Sequence, residues 1–261
     1  MKLLAIFGNP VAHSISPLLH NAVIERFNEE ACYGRYLLEK GEELRDKFLS
    51  LRLSGVNVTV PHKEAAFRAC DEILGIAKDV EAVNTIVNKN EKLIGYNTDA
   101  PGFYESIKEF DKIDSILILG AGGTAKAISL YLKKEGFRVD ILNRSSKRLS
   151  FFKEKGLQAF SWDDFKIGSY DLIINTTSAG LSDDSLPLDE KVLNELMKRA
   201  KYAVDVIYNK NTPFLQKAKE FGLKYKDGKD MLIYQAVIAF EYFFDHKYKR
   251  EEILKAMRGV I

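Results

Sequence analysis

The chain has 261 residues, 46% hydrophobic and 29% charged, which suits one large or two small globular domains. Its 39 basic and 37 acidic residues leave a formal net charge of +2, which argues against a nucleic-acid-binding protein, since those usually carry a strongly basic face. There is no membrane-length apolar run, no secretory leader pattern and no cysteine or histidine spacing typical of a metal site, so we expect a soluble cytoplasmic protein without a metal.

The first strand-like run, KLLAIFG, leads into the stretch GNPVAHSISPLLHN. Ser16 followed by Pro17 is typical of a helix start, with serine as the cap and proline at the first helical position. That role accounts for Ser16 but not for Ser14. Because ligands of open α/β sheets bind beyond the carboxyl ends of the strands, both hydroxyls can also face a ligand, and the pattern leaves the two roles open.

The next predicted strand and helix, SGVNVTV and PHKEAAFRAC, repeat this arrangement. Thr59 ends the strand, Pro61 starts the helix and Lys63 lies in its first turn. The helix dipole disfavours a cation at that end. Lys63 therefore either extends into solvent or serves in proton transfer.

Two further strands are predicted in EAVNTIVNKNEKLIGYN, with a turn at 88–90. Asn84, Asn97 and Asp99 lie in the Asn-Thr elements AVNTI and YNTDAPG. Such side chains can hold a ligand rich in hydroxyl groups, although asparagine and aspartate also favour turns, which is the simpler explanation for Asn97. The polar stretch 100–114 contains Pro and Gly and is predicted to link two domains.

A glycine-rich turn follows in SILILGAGGTAKAISLYL, between a buried strand and a helix. Gly120, Gly122 and Gly123 leave room for close backbone approach to a phosphate, and the helix start supplies aligned N–H groups. The spacing is a variant of the dinucleotide-binding fingerprint, which is a weak signal when it stands alone.

The next strand ends in ILNRSSKR, and this ending discriminates between cofactors. NAD sites usually carry an acid here to hold the ribose hydroxyl, but this chain has Asn143. Arg144, Ser145, Lys147 and Arg148 follow, and a guanidinium can bind a 2′-phosphate through two charged hydrogen bonds. The site is therefore predicted to prefer NADP over NAD.

Two more strands are predicted in DLIINTT and YAVDVIY, and one long apolar helix in DMLIYQAVIAFEYFFDHKY. Gln235 lies in the middle of that helix, either on its wet face or reaching a ligand. Short apolar strands that alternate with helices indicate parallel sheets covered on both faces. The predicted fold class is therefore α/β.

Taken in order, GNPVAHSISPLLHN, GVNVTVPHK, AVNTI, NTDAPGF, GAGGTAKA, NRS, DVIYN and GKDMLIYQA resemble the motifs of the shikimate dehydrogenase family and span nearly the whole chain. The resemblance implies two α/β domains, the second of them Rossmann-type. Residues 1–100 with 229–261 would form the substrate-binding catalytic domain, and 101–228 the NADP-binding domain. Glu81 departs from the family, which usually has glycine at this position.

The resemblance also implies a function, the NADPH-dependent reduction of 3-dehydroshikimate to shikimate on the route to chorismate and the aromatic amino acids. Lys63 and Asp99 would be the catalytic acid–base pair. The implied substrate-binding residues are Ser14, Ser16, Thr59, Asn84, Tyr208 and Gln235. The implied cofactor-binding residues are Gly120, Ala121, Gly122, Gly123, Thr124, Asn143, Arg144, Ser145, Arg148, Val206 and Gly228.

Two alternatives remain at this point. One is a quinate/shikimate dehydrogenase that uses NAD, which should carry an acid in place of Asn143. The other is a non-catalytic ligand sensor, which would not need Lys63 and Asp99 together. In each case we expect a small-molecule ligand, no nucleic acid, no membrane, and a monomer or homodimer.

Overall fold

A computed structural model describes all 261 residues. The chain divides into two compact units, which we call unit 1 (Met1–Gly102 with Leu232–Ile261) and unit 2 (Phe103–Met231). One boundary falls inside the stretch predicted as a link, but the first part of that stretch is helical rather than a simple connection, since a helix runs over Asp99–Ile107.

Unit 1 is built from six strands and the helices around them. Its strands are β1 (Lys2–Gly8), β2 (Ala31–Leu37), β3 (Gly55–Val58), β4 (Glu72–Ile73), β5 (Thr85–Lys89) and β6 (Lys92–Tyr96). Its helices are α1 (Ser16–Arg26), α2 (Leu44–Ser50), α3 (Lys63–Ala69), α4 (Ala77–Val80), the first turn of α5 (Asp99–Ile107), most of α10 (Lys229–Phe243) and α11 (Arg250–Arg258).

The unit 1 sheet has the order β2-β1-β3-β5-β6-β4. The strands pair in parallel except at β5, which is antiparallel to both β3 and β6. The expectation of parallel pairing is therefore wrong between β3 and β5, whereas the antiparallel pairing of β5 with β6 agrees with the turn predicted at 88–90. The short turn of the predicted β5–β6 hairpin reverses the chain too quickly for a parallel crossover.

Both faces of this sheet are covered, and β1 shows how. Leu4 and Ile6 point into a cluster with α1, α10 and α11, whereas Ala5 and Phe7 point into a second cluster with α2 and α3. Successive side chains of a strand face opposite sides, so a strand covered on both sides reads as one continuous apolar run. The loop that carries the two serines follows directly after the carboxyl end of β1.

Unit 2 is a doubly wound parallel sheet. Its strands are β7 (Ser115–Leu119), β8 (Arg138–Asn143), β9 (Gln158–Ser161), β10 (Leu172–Asn175), β11 (Tyr202–Asp205) and β12 (Lys224–Lys226). Its helices are the rest of α5, α6 (Gly123–Lys134), α7 (Ser150–Glu154), α8 (Glu190–Met197), α9 (Pro213–Glu220) and the first residues of α10.

The unit 2 order is β12-β11-β10-β7-β8-β9, with every neighbouring pair parallel. The chain leaves central β7 in one direction to β8 and β9, and later returns to β10 on the other side. This reversal is the switch point at which open α/β sheets bind ligands, as in the Rossmann fold. The predicted α/β class with a Rossmann-type second domain is confirmed.

None of the helices combines the length and apolar character of a bilayer span. Cys32 and Cys70 are both free thiols.

Candidate functional site

Two helix starts bring Lys63 and Asp99 together in unit 1. Lys63 is the first residue of α3 and Asp99 the first of α5. The Lys63 Nζ lies 2.6 Å from the Asp99 Oδ2, and the two side chains are 27% and 16% exposed. The helix dipole disfavours a cation at a helix start, and the carboxylate of Asp99 compensates for this by placing a negative charge beside the lysine. The pair is partly shielded from water but still open to a ligand.

Asn84 fixes the backbone immediately before Asp99. Its Oδ1 accepts a hydrogen bond from the Thr98 N–H (2.7 Å), and its Nδ2 donates to the Thr98 Oγ1 (3.0 Å). Asn84 is only 3% exposed, so these bonds are made away from bulk water, where an unpaired amide would be costly. Asn84 therefore holds the start of α5, and with it the carboxylate that faces Lys63.

A buried hydrogen-bond network supports Asn84, and sequence reasoning missed its other members. The Tyr33 hydroxyl donates to the Asn57 Oδ1 (2.6 Å), and the Asn57 Nδ2 donates to the Thr85 Oγ1 (3.0 Å). Thr85 in turn donates to the Asn84 Oδ1 (3.0 Å). Burial raises the pKa of Tyr33 well above its ordinary value, so the phenol keeps the proton that it donates. The sequence did contain one sign of this network, because Asn57 is a polar residue inside the otherwise apolar strand GVNV.

Ser14 and Ser16 lie next to each other at the start of α1. The Ser14 Oγ donates to the Ser16 Oγ (3.2 Å) and accepts from the Ser16 N–H (3.3 Å), and both residues are buried. The cap role predicted for Ser16 is wrong: α1 begins at Ser16 itself, Pro17 is its second residue, and the cap position is taken by Ile15, which makes no side-chain cap hydrogen bond. The Ser16 hydroxyl therefore makes no capping hydrogen bond at the start of α1.

Arg35, which sequence reasoning also missed, holds the loop of these serines. Its Nε and Nη2 both donate to the Ser14 carbonyl oxygen, at 2.8 and 2.6 Å. Arg35 lies on β2, a strand that pairs with β1. A forked grip of this kind on one carbonyl fixes the position of Ser14.

Thr59 follows β3 directly and packs against the end of β1. Its N–H donates to the Phe7 carbonyl (2.8 Å), and a Cβ on Gly8 would lie 2.4 Å from the Thr59 Cγ2. Glycine at position 8 is therefore what allows the ends of the two strands to approach. This contact places Thr59 beside the loop that carries Ser14.

Gln235 lies where α10 packs closely against α5, the helix that begins with Asp99. A Cβ on Gly102 of α5 would lie 2.6 Å from the Gln235 backbone nitrogen on α10. The helix that starts with Asp99 therefore touches α10 directly, a long-range return that spacing alone could not reveal. The Gln235 Nε2 donates to the Leu232 carbonyl of its own helix (2.8 Å).

Glu81 stands at a backbone position that suits glycine. It follows α4 with φ 58° and ψ 34°, in the left-handed region. Glycine enters this region without steric cost, whereas other residues do so only with strain. The glycine usual in the family at this position thus has a conformational reason, although nothing in the structure explains why this chain has glutamate.

The glycine turn of unit 2 has the room that a phosphate needs. Gly120 has φ +108°, and a Cβ there would lie 2.8 Å from the Thr176 Oγ1, so this position requires glycine for the turn itself. A Cβ on Gly122 or Gly123 would meet no protein atom within 4 Å. The free space above the start of α6 therefore fits a bound phosphate, with the helix N–H groups aimed at it.

This turn borders a cavity of ≈ 540 Å³ in unit 2. Its lining residues from the predicted cofactor set are Gly120, Ala121, Gly122, Asn143, Arg144 and Arg148. Gly123 and Thr124 form the first turn of α6 just beyond the lining, and Ser145 receives a hydrogen bond from the Asn143 Nδ2 on its carbonyl (2.8 Å). No acidic side chain ends β8, and Trp162, which sequence reasoning missed, also lines the cavity.

Val206 and Gly228 meet through their backbones in the same unit. A Cβ on Gly228 would lie only 2.1 Å from the Val206 carbonyl oxygen, and the Gly228 N–H donates to the Ile207 carbonyl (3.0 Å). Tyr208 follows on the same loop and is half-buried. Only glycine permits this approach, so position 228 has a structural requirement of its own.

A buried aspartate anchors that loop. Asp205 is fully buried and accepts hydrogen bonds from the Ile207 N–H (3.0 Å), the Thr212 Oγ1 (2.7 Å) and the Asn175 Nδ2 (3.0 Å). Burial raises the pKa of Asp205, and the three donors act in the opposite direction. The loop that follows β11 is therefore tied to the centre of the sheet.

No group of three or more histidine, cysteine, aspartate or glutamate side chains is arranged to hold a metal ion. The ion pair of Lys63 and Asp99 and the open space above the glycine turn are the arrangements to which chemistry can be assigned. The first suits proton transfer to a substrate oxygen, and the second suits a nucleotide cofactor.

Comparison with known proteins identifies the family. The family described as the shikimate dehydrogenase substrate binding domain matches residues 6–86. The NADP(+) shikimate dehydrogenase of Helicobacter hepaticus is 50% identical over 94% of this chain and 92% of its own. That of Helicobacter pylori strain 26695 is 47% identical over 100% of this chain and 99% of its own.

A solved structure agrees with these relatives. Shikimate 5-dehydrogenase from Thermus thermophilus, in complex with NADP(H) and shikimate, is 34% identical with a TM-score of 0.88 and covers 100% of both chains. The resemblance found in the motifs is confirmed over the full length. The chain belongs to the NADP-dependent shikimate dehydrogenase family.

Proposed function

We propose that this chain reduces 3-dehydroshikimate to shikimate with NADPH, in the biosynthesis of chorismate and the aromatic amino acids. The observation that carries the proposal is the ion pair of Lys63 and Asp99, 2.6 Å apart and partly open to solvent. A second support is the cofactor cavity, which has arginines and no acid at the end of β8.

The proposed chemistry needs a proton donor held beside a ketone. NADPH supplies the hydride, which leaves a developing negative charge on the substrate oxygen. The ammonium of Lys63 polarises that oxygen and donates its proton to it, so that the product is the alcohol. Asp99 orients the ammonium and, in the reverse direction, stabilises its return to the charged form.

The remaining polar groups of unit 1 are assigned to substrate binding. The adjoining hydroxyls of Ser14 and Ser16 suit the substrate carboxylate, since each is free to redirect its proton toward an anion. Thr59, Asn84 and Gln235 are proposed to hold the ring hydroxyls. The family resemblance also assigns Tyr208, a residue of unit 2, to substrate binding.

The cofactor is assigned to unit 2. The Gly120–Thr124 turn would bind the pyrophosphate at the start of α6, where Gly122 and Gly123 leave open space. Arg144 and Arg148, both exposed on the cavity wall, would bind the 2′-phosphate. Asn143 and Ser145 shape the loop between β8 and these arginines, and the backbone at Val206 and Gly228 would border the nicotinamide.

The proposal extends to the setting of the enzyme. Free thiols at Cys32 and Cys70 fit a reducing compartment, so we place the reaction in the cytoplasm. The enzyme would act on a small molecule as a monomer or homodimer.

Purified chain mixed with shikimate and NADP⁺ tests the proposal, with nicotinamide absorbance as the readout. We expect rapid NADPH formation and much slower reaction with NAD⁺ or with quinate. Preference for NAD⁺ or quinate would favour the quinate/shikimate alternative, and no turnover with any pair would favour a ligand sensor.

A variant pair tests the role of Lys63. Lys63→Ala should lower turnover by about 10²–10⁴-fold while shikimate binding, measured by equilibrium dialysis, changes little. Lys78→Ala, at an exposed lysine on α4, is the matched control and should leave turnover unchanged. Full activity of Lys63→Ala would remove Lys63 from the chemistry.

A further inference from the structure

The only tryptophan of the chain lies on the wall of the cofactor cavity. Trp162 is 42% exposed and lines the cavity together with Arg144 and Arg148. Tryptophan is highly buried on average, and its large flat face contributes strongly to binding energy when a partner covers it. An indole left open in a binding cavity therefore invites the question of what covers it.

The sheet register explains why Trp162 stands beside Arg144. Strands β8 and β9 run parallel, with Asn143 opposite Ser161. The next residues of the two strands, Arg144 and Trp162, consequently leave the sheet side by side at its carboxyl edge. Neither depends on a long flexible loop for its position.

A local turn holds the backbone of Trp162. The Ser161 Oγ donates to the Asp164 Oδ2 (2.6 Å), and the Asp164 N–H donates to the Ser161 carbonyl (3.2 Å). The residue after β9 is thus anchored on both sides. A fixed aromatic group loses less entropy on binding than a mobile one.

We propose that the indole of Trp162 stacks on the adenine of NADP(H). Adenine is joined to the same ribose that carries the 2′-phosphate, so a phosphate held by Arg144 brings the purine to the neighbouring strand end. Every purine offers a π-face for stacking on an aromatic side chain. In this arrangement Trp162 provides affinity for the base, and Arg144 provides selectivity for the phosphate. The stacking proposal depends on the proposed function in one respect, namely that the cofactor is NADP(H).

Intrinsic fluorescence tests the contact directly, because all tryptophan emission of the chain comes from Trp162. The probes are NADP⁺, 2′,5′-ADP, which carries adenine and the 2′-phosphate without nicotinamide, and nicotinamide mononucleotide, which lacks adenine. We expect the first two to quench the emission on binding and the third to leave it unchanged. NADP⁺ binding seen by calorimetry without any change in emission would overturn the stacking.

Variants provide a second readout that does not depend on turnover. In Trp162→Ala the Kd for 2′,5′-ADP should rise about tenfold, whereas Trp162→Phe should retain most of the affinity. Tyr225→Ala, at a 40% exposed aromatic on β12, is the matched control and should bind like the parent chain.

The outcomes separate the two proposals. If the parent chain binds NADP⁺ and 2′,5′-ADP but Trp162→Ala binds them equally well, only the stacking is wrong. If the parent chain binds neither compound, the proposed function itself is overturned. A fluorescence change with 2′,5′-ADP in the parent chain supports the contact even if the alanine variant folds poorly.

Discussion

Acidification should destabilise this protein through His20, and His20→Phe should remove that part of the pH dependence. The His20 side chain has no exposed surface, and neither ring nitrogen has a hydrogen-bond partner. Its ring stacks on Tyr33, with centroids 4.2 Å apart and planes within 2°. Burial lowers the pKa of His20 from 6.5 to about 3, so the folded protein holds it neutral.

The sign of the effect follows from this lowered pKa. Below pH 6.5 the unfolded chain protonates His20 while the folded chain does not, so stability is full above this pH and is lost as the pH falls toward about 3. Each unit of pH in this window is worth about 1.4 kcal/mol. Between pH 7 and pH 5 the loss from this one group should reach about 2 kcal/mol.

Urea unfolding at pH 7 and pH 5 measures this loss. Phenylalanine retains an aromatic ring against Tyr33, and any packing change affects both pH values equally. The pH-dependent loss in His20→Phe should therefore be about 2 kcal/mol smaller than in the parent chain. His13→Phe, at an exposed histidine, is the control and should keep the full loss. An equal loss in His20→Phe and the parent chain would refute the reasoning, since folded His20 would then titrate like an ordinary histidine.

Two further predictions concern the cofactor and the backbone. Arg144→Ala should weaken NADP⁺ binding about 10–100-fold and leave NAD⁺ binding nearly unchanged, because it removes a charged partner of the 2′-phosphate alone; calorimetry with both cofactors measures this, and equal losses would contradict it. Glu81→Gly should raise the free energy of unfolding by up to about 1 kcal/mol, because glycine relieves a left-handed backbone at φ 58°. Urea unfolding checks the second prediction, with Glu91→Ala (φ 67°) as a control that leaves a non-glycine residue in that region, and a decreased stability of Glu81→Gly would count against it.

The strands that sequence reasoning found are the central ones, and those it missed are the edges. β2, β4, β9 and β12 are the outermost strands of the two sheets. An edge strand is covered less and carries more polar residues, as the sequence KYK of β12 shows. The continuous apolar runs that reveal a buried strand are therefore absent where the sheet ends.

The predicted link at 100–114 shows how two local signals can mislead together. Pro101 and Gly102 are both helix breakers in isolation, yet α5 runs through them. Pro101 lies in the first turn, where its missing N–H has no intrahelical partner to lose. Gly102 is required by the close approach of α10. Tertiary contact therefore decides Gly102, whereas Pro101 is tolerated because of its place in the first turn.

The same distinction applies to the site. Ser14, Lys63 and Asp99 stand at strand ends or helix starts, features that local pattern can reveal. The supporting groups are different: Tyr33 and Asn57 act through a buried network, and Arg35 through a contact with the Ser14 carbonyl. Their roles depend on which strands become neighbours, and no spacing in the sequence carries that information.

The insertion of unit 2 into unit 1 has a consequence for synthesis on the ribosome. Leu4 and Ile6, which are made before unit 2, share their core with Val237, Phe240 and Met257, which are made after it. All of 103–231 emerges in between and can complete its own sheet first. During that interval the face of the unit 1 sheet that carries Leu4 and Ile6 lacks its contacts with α10 and α11. We therefore expect chaperones to bind the growing chain mainly at this apolar face.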